Sequence, residues 1–550
     1  MQRLPILLVA CTALAACGES SGDDPSRSAG ASAAGTAGTQ GGPGAGAGSG
    51  NGQSGSNMGG SGDGTAGEAA GGNAGSTGGA AGANAGTGGV NAGGVAGAAA
   101  NGPPTAVTVT RHDLDVAGMG AVFNVEDNYF RDFFIPPTPV ANFGLHAPIT
   151  AHQNDDGSLD VAWLDYTTGD SEPWALPSPG MIYLTHIDAD LATASTVASG
   201  ISSYKLLGFT KDAAGAFYLA YNADHALKTD ADNDENNTNG NELHVAKLDG
   251  QGGTTWDTLL FGDSDNNADE TKGDPAGAAS SVLGYDPVND VLVLYLGHSM
   301  MWTPTRHQAG YFRLLNPTSG DVLPPAGDDV IHFGSGWFYS HNFNQRLIID
   351  DGNYYVLAHG DAFARQLGFA RWSFDGYTNS NATDFDQPYW VVGGSEGDNN
   401  TNAQTGQFVK MPDGRFLIVH TTSEGRAARD VRLIAADGSN GNTDLGSGVW
   451  LTENTAGTHA TMAKVELLGE YALVTYASWT EDSHDLTWYA TLLDSALSTL
   501  VAPAVLPGVQ FVDSAPLFRF VGGPNAGRIG WVSGNAAHTL TVGVASPSYD

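Results

Sequence analysis

Trp337-Phe-Tyr-Ser-His341-Asn-Phe-Asn-Gln-Arg346 leads to Asp350-Asp351-Gly352, and Tyr354-Tyr-Val356 then leads to His359-Gly-Asp361. The stretch reads as strand, tight turn, strand, because an Asp-Gly step between short apolar runs is a strong hairpin signal. The two outer ends of an antiparallel hairpin meet at one edge. His341, opening the first strand, therefore comes beside His359 and Asp361, which close the second.

The same hairpin recurs through the rest of the chain. Turn signals stand at Asp156-Gly157, Ala214-Gly215, Asn289-Asp290, Asp351-Gly352, Asp413-Gly414, Gly469 and Ala526-Gly527, spaced 58, 75, 62, 62, 55 and 58 residues apart. After most turns comes a strand pattern such as Leu159–Leu164, Phe217–Tyr221, Val291–Leu296, Phe416–His420 or Ala472–Tyr476. A variable loop follows, and then another strand pattern, as at Met181–Asp188, Leu243–Asp249 or Thr487–Asp494. No sustained helical period occurs. Seven copies of a unit with three or four strands predict an all-β fold, a seven-bladed β-propeller over 105–550, since radial repetition protects strand edges. A stacked solenoid would call for shorter, more regular repeats. The seventh unit leaves no room for a long fourth strand, and Thr105–Val109 is the segment expected to supply it and close the ring.

The first sixteen residues carry Arg3, an apolar run from Leu4 to Ala10, and Leu14-Ala-Ala before Cys17. A charged start, a short apolar core and small residues before a cleavage point describe a secretory signal. Small residues before a cysteine resemble the lipobox of bacterial lipoproteins. The resemblance implies removal of 1–16, lipidation of Cys17, and a protein of the outer membrane or cell surface of a Gram-negative-like bacterium. The alternative is plain secretion with an unmodified Cys17. The other cysteine, Cys11, lies in the removed part, so the mature chain has no internal disulfide. Residues 17–104 are dominated by Gly, Ala, Ser, Thr and Asn and bury too little to offset the entropy of ordering. They are expected to form a lipid-anchored disordered tether, reaching on the order of 50 Å if each residue contributes as in a Gly/Ser coil. The formal charge of −37, with 22 Lys plus Arg, argues against nucleic acid and against an anionic membrane surface as partners.

Ser340-His341-Asn-Phe343-Asn-Gln345 and His359-Gly-Asp361-Ala-Phe-Ala-Arg365 resemble the Ser-His-x-Phe-x-Gln and His-Gly-Asp-Ala-x-x-Arg elements of a group of secreted bacterial propeller-repeat proteins. The match covers one blade closely and the others only as a repeat pattern. It implies the propeller fold and export, and little about activity. Ala364 stands where the group's pattern has Pro.

In a propeller, starts of first strands and ends of second strands share one face, opposite the Asp-Gly turns. This places His146, His341 and His459 (first-strand starts) with His298, His359 and His420 (second-strand ends) on one face. Arg346, Asp361 and Arg365 join them as candidate ligand-binding residues. The expected partner is a polysaccharide or a surface protein bound through this His-rich face. Arginines, including Arg306, would meet carboxylates, and Trp302, Trp337, Trp372 and Trp479 would either stack on sugars or pack the blades. The alternative is a polysaccharide lyase-like enzyme using His341, His359, Arg346 and Tyr339, because general base catalysis needs a group titrating near neutrality. A structural or adhesive surface protein is the third reading. Gly393-Gly-Ser395-Glu-Gly397 fits a nucleophile elbow in letters alone, because no helix-forming segment follows it. Asp230, Asp232 and Asp234, and Asp263, Asp265, Asn267 and Asp269, alternate oxygen ligands at a spacing suited to Ca2+ with a structural role. Neither loop is a regular EF-hand, since Glu235 and Ala268 occupy the position of its turn glycine.

Replacing Cys17 with Ser is expected to move the protein from the membrane fraction to the soluble extracellular or periplasmic fraction. Fractionation with metabolic fatty-acid labelling checks this, and retention of the label would refute the anchor.

Overall fold

The structure is a computed structural model. It describes residues 102–116, 119, 149–165, 179–203, 205–223, 242–261, 274–275, 281–302, 305–324, 342–360, 367–378, 389–392, 403–436, 448–482, 486–512, 515–536 and 538–549. All of them belong to the compact unit Gly79–Asp550.

These residues form a seven-bladed β-propeller, and each blade is an antiparallel sheet. The N-terminal strand β1 (Ala106–Asp115) is followed by blade 1, made of β2 (Ile149–Gln153), β3 (Leu159–Asp165), β4 (Gly180–Ile187) and β5 (Ala194–Ser203). Blade 2 contains β6 (Lys205–Lys211), β7 (Phe217–Ala223), β8 (Glu242–Leu248) and β9 (Thr254–Phe261). Blade 3 departs from the pattern. Its short β10 (Asp274–Pro275) pairs with the far end of β12 (Val291–Trp302), which lies between β11 (Ser281–Asp286) and β13 (Thr305–Leu315).

Blade 4 holds β14 (Asn342–Asp350), β15 (Asn353–Gly360), β16 (Leu367–Ser373) and β17 (Tyr389–Val392), with the five-residue helix α1 (Phe374–Thr378) after β16. Blade 5 holds β18 (Gln404–Lys410), β19 (Phe416–Thr422), β20 (Asp430–Ala436) and β21 (Val449–Trp450). Blade 6 holds β22 (Thr458–Leu468), β23 (Tyr471–Thr480), β24 (Thr487–Leu493) and β25 (Thr499–Val505). In blade 7, β26 (Phe518–Arg519), β27 (Ile529–Ala536) and β28 (Thr539–Ser548) are completed by β1. The pairing of β1 runs from Ala106 opposite Ser548 to Asp115 opposite Thr539. The expected closing segment is thus the one used, and it extends beyond Val109 to Asp115.

All seven turns expected from the sequence join the two innermost strands of a blade, which in blade 3 are β11 and β12. Each contains a residue with positive φ, as at Gly157 (88°), Asp290 (51°) and Gly414 (89°). Gly and Asp or Asn tolerate that region, which is why these residue types mark the turns. The turns lie at what we term the lower face, and first strands begin at the upper face.

Strand residues alternate between the two neighbouring blades. In β3, Leu159, Val161 and Trp163 join a cluster with Val532, Leu540 and Val542 of blade 7. Ala162 and Leu164 join another with Leu206, Phe209 and Leu219 of blade 2. One such apolar cluster fills each of the seven seams. Full burial of one Val, Leu, Ile or Phe side chain contributes roughly 1.5–3 kcal/mol. Polar clasps close several seams near the lower face. Lys211 Nζ donates to Asp160 Oδ2 (2.7 Å), Tyr354 Oη donates to Asp286 Oδ2 (2.9 Å), and Lys410 pairs with Asp350.

A chain starting at Thr105 is expected to keep the Tm of the full chain. A chain starting at Met119 lacks β1, exposes the β28 edge, and should lose roughly 10 °C or more or aggregate. Differential scanning calorimetry of the two truncations checks this.

Candidate functional site

The innermost strands of blades 4, 5 and 6 share one irregularity. Their pairing jumps from Phe343 to Arg346, from Thr405 to Phe408 and from Thr461 to Lys464. Such bulges re-aim side chains and cluster near functional sites. His359 pairs with Phe343 and His420 with Thr405, so the two histidines hold equivalent backbone positions, and Ala477 holds that position in blade 6. Gly406 lies inside the blade 5 bulge. A Cβ there would stand 2.3 Å from the Val419 carbonyl oxygen and 2.5 Å from that of Ala463, so glycine alone permits the contact between blades 5 and 6.

Above the bulges, the seam between blades 5 and 6 changes from apolar to polar. Gln404 Oε1 accepts from Thr461 Oγ1 (2.7 Å), Thr421 Oγ1 (3.3 Å), the Met462 N–H (3.3 Å) and Arg429 Nη1 (3.4 Å). The backbone amide and the guanidinium can only donate, which identifies the amide oxygen. Gln404 Nε2 is buried and has no hydrogen-bond partner among the described residues. Arg429 is itself buried, and its N–H donates to His459 Nδ1 (3.3 Å). With Nδ1 accepting, the ring proton sits on Nε2, which donates to Glu481 Oε1 (3.1 Å). The Glu481 side chain is 33% exposed and brings this chain of contacts to the surface. Asp430, buried alongside, accepts from Arg426 Nη1 (2.9 Å), Thr452 Oγ1 (2.8 Å) and the Asn454 N–H (2.7 Å). Arg426 also lies over the Trp450 ring, 3.9 Å from its centroid.

The centre of the ring is bridged in the same region. Gln407, turned inward by the bulge, donates through Nε2 to the Leu517 carbonyl and accepts at Oε1 from the Leu517 N–H, both at 2.9 Å. Blade 5 thereby grips the lead-in to blade 7 across the inner strand of blade 6. Lys464 Nζ donates to the Ala515 carbonyl at 2.8 Å. Arg346 Nε donates to the Gly406 carbonyl (3.0 Å) and its Nη1 to the Gln345 carbonyl (3.1 Å), tying blade 4 to blade 5.

His420 and His459 do not converge on one point. Phe416 and Ile418 of β19 pack toward blade 4, and Leu417 and Val419 toward blade 6, so alternation turns His420 into the blade 4–5 seam. His420 is fully buried, and neither ring nitrogen has a hydrogen-bond partner among the described residues. Burial, reinforced by the Arg432 charge, pushes its pKa down to about 3. An imidazole so far below neutrality is a weak general base at pH 7. His459 has both nitrogens engaged. On blade 6, buried Glu466 is pushed up to about 7 by loss of solvation, opposed by the Leu467 N–H and the Arg519 charge. Burial lowers His152 on blade 1 to about 4, against the pull of Asp160.

His298 was expected to close a second strand, but β12 continues four residues beyond it to Trp302 because β13 pairs along that extension. For His298 and His359 the backbone position is described and the side chain is not. His146, Tyr339, His341, Asp361, Arg365, Cys17, and the acidic residues Asp230, Asp232, Asp234, Asp263, Asp265, Asn267 and Asp269 lie outside the described residues. Trp372 is packed among Phe312, Tyr295 and Tyr354, and Trp479 is buried against the His459 ring, so these two serve blade packing. Gln404, Arg429, Asp430 and Glu481 were not anticipated. Gln404 opens a first strand and Glu481 directly follows a second. The strand-end rule applied to all polar residue types, rather than to histidine and the residues around it, finds both.

No family model matches the chain, and no curated protein matches it. Among solved structures, an ulvan lyase of polysaccharide lyase family 25 superposes with a TM-score of 0.39 at 11% identity, over 65% of this chain and 80% of that one. An oligogalacturonate lyase in complex with manganese gives 0.39 at 13% identity, over 81% and 98%. A mutant of the NanB sialidase from Streptococcus pneumoniae gives 0.36 at 12% identity, over 78% and 70%. Likenesses of this degree transfer neither residues nor activity to this chain.

Two opposing pH effects on stability are expected. Neutral His152 and His420 contribute fully above their ordinary 6.5, and that contribution is lost as pH falls toward about 4 and about 3, because the unfolded chain takes up the protons. Glu466 acts the other way: its contribution is full below its ordinary 4.5 and is lost as pH rises through about 7. Urea unfolding at stepped pH should show a shallower acid limb in His420→Phe and a flattened rise-of-pH loss in Glu466→Gln.

Proposed function

We propose that this propeller binds a polysaccharide at its upper face, over the polar seam between blades 5 and 6. One observation carries the reading: the buried polar side chains Gln404, Thr405, His420, Thr421, Arg429, Asp430, His459 and Thr461 concentrate at the upper ends of these two blades. Burying polar groups opposes folding unless partners compensate. A fixed array of donors and acceptors beneath a surface carboxylate suits a hydroxyl-rich ligand, which offers both in quantity. Binding is favoured over lyase chemistry at this seam because His459 has both nitrogens engaged and His420 is fully buried; of the residues named for a lyase, Arg346 is turned to the Gly406 and Gln345 carbonyls, and the side chains of His341, His359 and Tyr339 lie outside the described residues. The Leu14-Ala-Ala-Cys17 segment and the long Gly/Ala/Ser tether support display of the domain on a lipid anchor at the outer membrane or cell surface. The alternating Asp residues around Asp263 support a structural Ca2+, which is part of the proposal.

The test is a binding screen of the Thr105–Asp550 domain against acidic and neutral polysaccharides, with and without chelator. Formation of unsaturated ends is followed by ultraviolet absorbance. Saturable binding without new absorbance is expected. Glu481→Gln should weaken it roughly tenfold, the size of one charged hydrogen bond. Chelator should lower Tm more than affinity. Appearance of unsaturated ends, abolished in His341→Ala or His359→Ala, would replace this reading with a lyase. Absence of glycan binding would leave a protein partner.

A further inference from the structure

His244 stands toward the upper end of blade 2, on its outer strands, with a carboxylate at each ring nitrogen. Nδ1 lies 3.0 Å from Asp257 Oδ1, and Nε2 lies 3.2 Å from Glu242 Oε2. Three neighbouring strands build the cluster. His244 pairs with Tyr221 of β7 on one side and with Leu259 of β9 on the other. Asp257 is two residues from Leu259, so it shares that face of the sheet and is a diagonal neighbour of the imidazole. Glu242 is two residues from His244 on β8 and shares the face for the same reason. Tyr221 stacks on the imidazole, with ring centroids 5.1 Å apart, and its hydroxyl donates to Asp257 Oδ2 at 2.5 Å.

The number of donors required fixes the protonation state of the ring. An ionised carboxylate only accepts, whereas a neutral imidazole has one N–H and one lone pair. Neutral His244 would turn that lone pair toward Asp257 or Glu242, and only the imidazolium donates to both. His459 differs, because the Arg429 N–H donates to its Nδ1 and the neutral ring satisfies both of its contacts. At His186 the second carboxylate, Asp188, is 3.8 Å away, beyond hydrogen-bond distance. Burial by itself lowers the pKa of His244, but the hydrogen bonds and charges of Asp257 and Glu242 outweigh it and raise the value above the ordinary 6.5. Burial likewise opposes ionisation of Asp257, and the bonds from His244 and Tyr221 hold its carboxyl below the usual range. Tyr221 is raised, first by burial and then by Asp257, so its hydroxyl keeps the proton.

The strands around the ring add few other charges. β8 is flanked by β7, β9 and β10. The titratable residues of β7 are Tyr218 and Tyr221, β9 has Asp257, and β10 has Asp274. Lys247 of β8 is turned to Asp212 and the Pro317 carbonyl, and β5 of blade 1, which lies against β7, carries no charge. The Asp257 side chain is 36% exposed, so protons from solvent reach the cluster.

We propose that His244 is a proton-operated latch on the outer edge of blade 2: as imidazolium it ties Glu242 to Asp257, and so β8 to the outermost strand β9, and loss of its proton releases β9. Because the folded value is raised, the latch contributes in full below 6.5 and is lost as pH rises through the raised value. Its partial exposure confines the effect to opening of the strand rather than unfolding of the ring.

Two measurements on the full chain at stepped pH test the latch. Histidine Cε1–H NMR reads the proton, and hydrogen–deuterium exchange of Thr254–Phe261, corrected for the intrinsic exchange rate, reads the strand. The His244 resonance, identified by its loss in His244→Gln, should titrate above 6.5. Protection of Thr254–Phe261 should fall roughly two- to fivefold across that midpoint, the size of an ion pair at a partly exposed site. The outermost strand of blade 1, Ala194–Ser203, should show no such step. Glu466→Gln should leave the step in place, whereas His244→Gln and Asp257→Asn should abolish it. A midpoint at or below 6.5 would overturn the latch. So would level protection of Thr254–Phe261 while His244 titrates, or a step that persists in either variant when folded. If neither variant folds, the wild-type midpoint and step decide.

Discussion

The whole architecture depends on face-to-face burial between neighbouring blades. A single four-stranded sheet of this chain has two apolar faces, as the unbroken burial of Leu159 to Leu164 shows. Neither face can be left in water, so each blade requires a neighbour on both sides, and the only arrangement that gives every sheet two neighbours is a closed ring. Seven apolar clusters, one per seam, are the energetic content of that closure. Both cysteines, Cys11 and Cys17, precede the propeller residues, and the ring is secured by strand exchange. β1 supplies the outer strand of blade 7, and its ten paired residues join the two ends of the domain.

Within this frame, blades 5 and 6 follow a different chemistry at one end. Their lower halves interlock through Val409, Leu417, Val465 and Val474, as any seam does. Their upper halves exchange that packing for a network around Gln404, Arg429 and His459. The bulge in each innermost strand marks the changeover, because an extra residue breaks the alternation and turns Gln407 out of the seam toward the middle of the ring. There its amide pairs with both polar atoms of Leu517, as a neighbouring strand would. The upper ends of blades 5 and 6 are therefore braced from within, and their polar groups are held by contacts inside the protein.

Burial has opposite consequences for the ionisable groups in these seams. It holds His420 and His152 neutral by lowering their affinity for a proton, and keeps Glu466 protonated by raising its own. In each case loss of solvation is the largest influence, and the charged form is the one disfavoured. Asp160 shows the opposite outcome: burial raises its pKa, but hydrogen bonds from Lys211, His186 and Asn154 outweigh that and hold its carboxyl below the usual range.

The amino-acid sequence by itself determined the repeat, the seven turns and the closing strand. These are local properties: a residue that tolerates positive φ between two apolar runs makes a hairpin wherever the chain places it, and 55 to 75 residues later it makes another. It also indicated which strand ends share a face, because antiparallel strands alternate direction. Which side chains meet was decided only by the tertiary structure. His420 and His459 stand at the same end of adjacent blades and yet enter different seams, since a one-residue difference in strand phase sends a side chain to the opposite face of its sheet. Gln404, Arg429 and Glu481 come from three segments of two blades, and no spacing in the chain relates them. Their meeting depends on how far two sheets slide and rotate against each other, and that is set by the packing of the entire seam.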